Sequence, residues 1–330
     1  MAELTPLEVG PAVDAVQLAA VQDRAVLVPT AAAVIDLSGT GAVDCLQGLL
    51  TNDVAKPGPD SVTYGALLTP KGMIVTDLWA LRTAAGFTLV VPAAGHAAAA
   101  EILHRTLPPR LARSTDLSAT HRAVTLFGAG SEAAITAALP GHEIPAPGRL
   151  TYVGPSAVAH APAGAPFRWL IVGPLADVEA LESALRTQGV QTGIEAQATA
   201  ARILAGWPAL GLEIDEKTLP QEVRFDEIGG VSYTKGCYTG QETVARVHFR
   251  GHPNRELRAV VWDGSDPLAD RSIQHLGREV GTVRSTVVVG ARRIGLAPIR
   301  REVQNDEVVS AGGSPARVVA LPLPVATLFP

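Results

Sequence analysis

The sequence predicts an α+β chain that ends in a small antiparallel β-barrel, and three observations predict it. Strand-like runs follow one another as hairpins across short turns of Pro, Gly and Asp. The helical stretches between them are short and irregularly placed, unlike the regular strand–helix alternation of a doubly wound sheet. From Arg258 onward helical periodicity almost vanishes and short strands dominate. At 330 residues the chain exceeds what one core usually serves, and 47% hydrophobic residues suffice to bury more than one.

Residues 24–29 read as a strand and 33–37 as a second extended stretch. Gly39 to Gly41 opens a helix with Val43, Leu46, Leu49 and Leu50 on one face, stopping near Asn52. Residues 64–68, 73–81 and 87–91 read as three sheet strands, turned at Pro70-Lys71-Gly72 and Ala84-Ala85-Gly86. A helix over 94–106 ends before Pro108-Pro109. A strand at 123–127 and a helix at 132–139 follow, and Phe127-Gly128-Ala129-Gly130 between them reads as a turn, lacking the third glycine of a dinucleotide site. The Pro- and Gly-rich segment 140–166 reads as a long exposed excursion. Beyond it come a strand at 168–172, a helix capped by Asp177 and closed by Gly189, and a helix from Ile194 to Ala205 that stops at Gly206-Trp207-Pro208. The barrel strands are placed at 259–262, 279–284, 286–289, 294–298 and 317–321.

Composition removes several function classes. Lys and Arg number 27 against 32 Asp and Glu, a formal net charge of -5, so a dedicated nucleic-acid binder is not expected. Two cysteines, Cys45 and Cys237, supply neither a disulfide framework nor the four thiolates of an iron–sulfur site. The first residues hold Glu3 and Glu8 and no basic region before an apolar core, so no secretory leader is read there. No run reaches the about 18 apolar residues of a membrane span. A cytoplasmic protein without a membrane partner is the expectation.

The most unusual segment is Lys235-Gly236-Cys237-Tyr238-Thr239-Gly240-Gln241-Glu242, followed by Arg246, His248, Arg250 and His252. Nearby cations favour a thiolate, the reactive form, and a helix beginning at Gly240 would act in the same direction. The same cysteine also reads as a small residue buried in a tight turn. Cys45, beside Leu46, reads as core packing. Cys237, His248 and His252 lack a fourth ligand, so no metal site is expected. Arg292-Arg293 and Arg300-Arg301 flank a barrel strand, either as solvated edge charges or as a docking patch for RNA or protein.

The Lys235–Glu242 octapeptide resembles the signature of the YgfZ-type folate-binding proteins, relatives of the glycine-cleavage T-protein. The resemblance extends through Asp36-Leu37-Ser38, Leu46-Gln47-Gly48 with Leu49 to Val54, Ala66 to Ile74, Arg202 to Pro208, Leu219-Pro220-Gln221-Glu222 and Ile294-Gly295-Leu296-Ala297. It implies a three-lobed ring, with two α+β lobes over 1–254 forming an aminomethyltransferase-like folate-binding region and a C-terminal antiparallel barrel over 255–330. It further implies a central channel for tetrahydrofolate or another reduced folate. A reduced pterin offers donors to a carboxylate or carbonyls, and its glutamate tail seeks cations. Arg202 and Lys235 are candidates for the tail, and Asn52, Gln241 and Glu242 for polar anchoring. Gly236, Tyr238 and Gly240 join them as folate-binding positions of the signature. Arg202 also reads as an ordinary charge at a helix C-terminus, and Asn52 with Asp53 as helix-stop chemistry.

Departures from the T-protein pattern matter. One member of its acidic pair is Thr76 within Val75-Thr76-Asp77-Leu78, and two further acids correspond to Leu170 and Leu204. The resemblance therefore implies a folate-binding protein that supports assembly or repair of iron–sulfur clusters, including those of tRNA-modifying enzymes, with Cys237 as the reactive residue. Its expected partners are cluster enzymes or cluster-assembly proteins, without direct nucleic-acid binding. A folate-dependent aminomethyltransferase and a non-catalytic folate-regulated scaffold are the alternatives.

Overall fold

The computed structural model describes residues 11–323; Glu3 and Glu8 lie outside them. Among the described residues, seven α-helices are α1 (Ala15–Asp23), α2 (Ala42–Gln47), α3 (His96–Thr106), α4 (Ser131–Ala138), α5 (Leu175–Thr187), α6 (Glu195–Ala205) and α7 (Gln241–Arg250). None is long and apolar enough to cross a membrane. Three sheets carry the rest. One is five-stranded and antiparallel, in the order Val62–Leu68, Ile74–Arg82, Gly86–Pro92, Ala32–Ser38, Arg113–Asp116. The second is six-stranded, in the order Gln191–Thr192, Val26–Thr30, His121–Phe127, Trp169–Pro174, Ser156–His160, Leu150–Val153. These two share a core of Val34, Val62, Leu81 and Val90 against Ala157, Ala159, Leu170 and Val172.

In the third sheet Arg292–Arg300, Arg255–Trp262, Ser314–Val319, Val308–Ala311, Ser272–His275 and Arg278–Thr282 pair in that order, and the last returns to the first through Gly281 and Ile299. That is a closed six-stranded antiparallel barrel, as expected for the C-terminal region, and closure removes its sheet edges. Ser285–Val289 pairs outside the ring on Arg292–Arg300, and Ala12–Val13 adds to it in parallel. A further core ties all three sheets together: Val26 and Val28, Tyr64 and Ala66, Ala200 and Ile203 of α6, and Ala259, Val287 and Leu296 of the barrel region.

Local chemistry explains the elements near the site. Asp14 accepts from the Gln17 amide at 2.7 Å while Gln17 Oε1 accepts from the Asp14 amide at 3.0 Å, a reciprocal cap that starts α1. Gly206 closes α6 in the left-handed region, φ 66°. Gly240 opens α7 at φ 80°, and a Cβ there would stand 2.5 Å from the Thr69 carbonyl, so only glycine fits where the 69–72 turn crosses the signature.

Several expectations need correction. The 140–166 segment is not an exposed excursion. Its turns enclose a hairpin, Leu150–Val153 with Ser156–His160, whose second strand is almost wholly buried between neighbours. Prolines and glycines dominate that stretch by number, but alanines at 157, 159 and 161 supply the small apolar face that packs. The helix expected to run to Asn52 ends at Gln47. Leu50 then leaves it to bridge Leu67, and the 47–52 loop becomes part of the site. Asp177 sits inside the first turn of α5, which Pro174 precedes. Arg293, read as an edge charge, is 1% exposed. Its place in the strand turns it inward, where it donates to the carbonyls of Ser265 (2.7 Å) and Asp266 (3.0 Å). Helix α1 and the strands at 113–116, 272–275 and 308–311 escaped the sequence reading because they are short and mostly polar or half-exposed.

Candidate functional site

Strand Ile74–Arg82 lies mid-sheet, so successive side chains face opposite sides. Leu78 and Ala80 enter the core beneath the sheet, while Asp77 and Trp79 point the other way. There they line a cavity of about 600 Å³ with Phe127, Phe167, Arg202 and Trp207. The walls are aromatic: Trp79 and Trp207 stack at 5.8 Å and 12°, and Phe167 meets Trp79 edge-on at 5.1 Å, while Tyr64 packs against Trp207 at 4.7 Å from outside the lining. Asp77 is 7% exposed. Tyr64 donates to its Oδ2 at 2.9 Å, and its Oδ1 is buried with no partner among the described residues. Burial pushes the Asp77 carboxyl up to about 6, against the hydrogen bond from Tyr64. Asp77 thus brings a carboxylate with an orphan oxygen to the wall of an aromatic cavity, where a donor from a flat ligand could satisfy it after a small side-chain shift.

Arg202, expected to meet the glutamate tail, borders this cavity but is engaged. It donates to Trp207 O at 2.8 Å, Glu213 Oε2 at 2.9 Å and Ser285 Oγ at 3.0 Å, and Glu213 is 2% exposed and also holds Ser285. The pair fastens α6 to the strand beside the barrel.

The signature forms a second locale. Lys235 Nζ donates to three carbonyls, Gln47 at 2.6 Å, Leu50 at 2.7 Å and Asn52 at 2.9 Å, just where α2 ends and its carbonyls lack helical partners. Burial pushes its ammonium down to about 8, with Asp53 opposing. Its charge therefore serves the chain itself. The backbone adds Thr239 N to Gly48 O (3.1 Å) and Ser232 N to Thr51 O (3.1 Å), and the Thr51 hydroxyl donates to Gly230 O (2.6 Å). Asn52 Nδ2 donates to Tyr64 O and Gly229 O at 2.9 and 2.7 Å, which links this loop to the aromatic cavity. Tyr238 is buried beneath Lys235, 5.1 Å from ammonium to ring, and burial first, then Asp226, pushes its phenol up to about 12.

Gln241 Oε1 accepts from the Tyr238 amide at 2.9 Å and fixes the loop-to-helix corner. Gly236 is exposed, with open space where a Cβ would be. Cys237 is likewise exposed rather than buried in its turn, and lines a groove of about 750 Å³ with Pro70, Glu242, Arg246, Phe249 and Arg250. Cys45 is half-buried on α2, and burial pushes its thiol up. No cluster of three or more potential metal ligands occurs among the described residues.

The predicted residues thus divide. Lys235 and Asn52 meet although 183 positions apart, and Cys237, Gly240, Gln241 and Glu242 share the groove, while Arg202 belongs to the aromatic cavity. Sequence reasoning noted Asp77 without placing it in the site and missed Trp79, Trp207 and Phe167. The available signal was an acid and a tryptophan two apart inside an apolar strand, on a face otherwise reserved for core.

A model described as the GCVT N-terminal domain matches residues 15–148. The "tRNA-modifying protein YgfZ" of Edwardsiella ictaluri (strain 93-146) is 30% identical over 268 residues, covering 79% of this chain and 78% of that one. The chain belongs to the YgfZ family. The YgfZ relative of Serratia proteamaculans (strain 568) is 30% identical over 265 residues, 77% of each chain. That of Vibrio atlanticus (strain LGP32) is 39% identical over 114 residues, with the match spanning 34% of each. The YgfZ chain also shares its fold with the glycine cleavage system aminomethyltransferase T of Bartonella henselae: TM-score 0.76 at 19% identity, over 93% of this chain and 88% of that one.

Proposed function

We propose that this YgfZ-family chain binds a reduced folate in the aromatic cavity and, through Cys237, supports cytoplasmic enzymes that carry iron–sulfur clusters, including those that modify tRNA. The observation that carries the folate half is Asp77: a buried carboxylate with an unclaimed oxygen, framed by Trp79, Trp207 and Phe167. The donor edge of a reduced pterin suits that oxygen, and its ring suits the aromatic walls. Asp77, Trp79, Phe167 and Trp207 would hold the folate, which supplies one-carbon chemistry when bound. The cluster half is supported by family membership and by the exposure of the signature thiol. Region 1–254 serves as the folate-binding part and 255–330 as the barrel.

Isothermal calorimetry with tetrahydrofolate tests the first half. Because the ionised carboxylate is the stronger, charge-assisted acceptor, affinity will be flat above about pH 7 and will fall, by at most about tenfold per unit, below about pH 6, following the raised carboxyl. Absence of binding at high micromolar ligand would remove this reading. For the second half, Cys237→Ala introduced into cells lacking the native gene will fold yet leave a cluster-dependent enzyme inactive; full restoration by that variant would sink the thiol's role. Asp77 also favours a second reading, folate-dependent aminomethyl transfer, since it keeps one member of the acidic pair. Robust turnover of an aminomethylated lipoyl carrier would select it.

A further inference from the structure

We propose that the groove beside Cys237 docks an acidic segment of a partner protein, with Phe249 as the apolar anchor and Lys71, Arg246 and Arg250 receiving its carboxylates. The inference deepens the partner side of the proposed function and rests on Cys237 being the working thiol, but it needs no folate.

Helix α7 buries Val244, whose carbonyl Gln221 holds at 2.9 Å, and turns Arg246, Phe249 and Arg250 to solvent. Phe249 is 67% exposed, an unusual place for a phenyl ring on a short helix. It is also held in position. Tyr233 meets it edge-on at 5.8 Å and His248 at 4.7 Å, while Tyr233 and His248 stack at 3.6 Å and both bond to Asp226. A fixed exposed aromatic loses little freedom on contact, the property of an interface anchor.

The charges around it are unclaimed. Arg246 and Arg250 make no ion pair or side-chain hydrogen bond with the described residues, and neither does Lys71, in the turn whose Pro70 lines the groove. Glu242 is the single acid lining the groove. Two free cations lining the groove, with Lys71 exposed on the turn beside it, against one lining carboxylate favour an anionic visitor. A protein segment fits better than RNA: tight nucleic-acid contact draws on about six or more phosphates, more than three cations can meet, and the chain's net charge of -5 opposes a long polyanion. The groove holds an apolar anchor beside its cations, which suits mixed acidic and aliphatic side chains. A segment seated there lies beside Cys237.

The test uses thiol–disulfide exchange on the full chain in a Cys45→Ser background, without folate. The probe is a synthetic peptide alternating Glu and Leu, its one cysteine carried as a 2-thiopyridyl disulfide. The Cys237 thiolate attacks the peptide sulfur, a new S–S bond forms, the old one breaks, and the electron pair leaves on 2-thiopyridone, whose absorbance is followed. The acidic peptide is expected to react about tenfold faster than a Lys–Leu peptide of equal length, or about 1.4 kcal/mol. That advantage should disappear in Phe249→Ser, in Arg250→Glu and at high salt. Equal rates for the two peptides would overturn the proposal. So would an advantage that survives the α7 variants, or single-stranded RNA that blocks the reaction better than a disulfide-free acidic peptide, which would assign the face to nucleic acid. Folate binding is measured separately, so failure here leaves the folate reading standing.

Discussion

Replacing Asp77 with Asn will make the protein more stable at neutral pH and nearly unable to bind tetrahydrofolate. The side chains are isosteric, so Tyr64 keeps its hydrogen bond; what goes is a buried negative charge. The Asp77 carboxyl is raised from 3.8 to about 6, so the folded state holds a proton over that interval that the unfolded chain has released. Wild-type stability therefore falls as pH rises through the window, and the gain from Asn is complete above about pH 6 and absent below about pH 4. A shift of this size corresponds to at most about 3 kcal/mol; relaxation around the site reduces the expected gain to about 1–2 kcal/mol, or roughly 2–4 °C in Tm. Thermal melts of both proteins at pH 7.5 and pH 4.5 check the sign, and equal differences at the two values would refute it. Binding moves the opposite way. Losing a charge-assisted acceptor should weaken tetrahydrofolate by about 2–3 kcal/mol, roughly 30- to 150-fold by calorimetry. Opposed effects on stability and affinity mark a residue kept for its ligand at the expense of the fold.

Lys235→Met should be the most damaging single change in the signature. The straight side chain can still fill the space, but the carbonyls of Gln47, Leu50 and Asn52 lose their common donor. A cost of about 2–4 kcal/mol is expected in urea unfolding, because hydrogen bonds from a charged donor are lost and part-buried acceptors are left without a partner. Hydrogen exchange localises the damage: the Ser232 and Thr239 amides, which bond across to Thr51 and Gly48, should exchange faster, while the barrel amides stay protected. Lys235→Arg will not rescue them, since a planar fork cannot direct three N–H bonds at three converging carbonyls. Unchanged exchange at those two amides would show that the loops are joined by something other than the lysine.

The α+β class and the C-terminal barrel were legible in the sequence because turn residues and period-two burial are local signals. Hairpins such as Ile74–Arg82 with Gly86–Pro92 announce themselves by those means. The octapeptide was legible as chemistry, yet its internal division of labour was not. Arg202 and Lys235 were expected to meet an anion, and both are spent within the chain, on Glu213 and on backbone carbonyls. Nothing within a few residues of Lys235 reveals that a helix some 190 positions earlier ends beneath it. Asp77 was hidden by the converse problem. Its strand neighbours read as core, and only the second sheet and α6, folded over it, turn a core-facing acid into a cavity-facing one. Spacing along the chain conveys residue type and local period, whereas which charges are already satisfied is a property of packing.

The barrel's closure has one exception with consequences for handling the molecule. Ser285–Val289 lies outside the ring, and all five of its residues are buried. Among the described residues, its outer edge is covered by the short stretch Pro11, Ala12 and Val13. Three consecutive valines on an uncovered strand form an adhesive template for other chains. The short N-terminal strand therefore guards colloidal behaviour more than it adds to folding energy. A form of the chain beginning after Val13 would exchange a sealed edge for an open one, and its expected mode of failure is self-association of intact folded molecules.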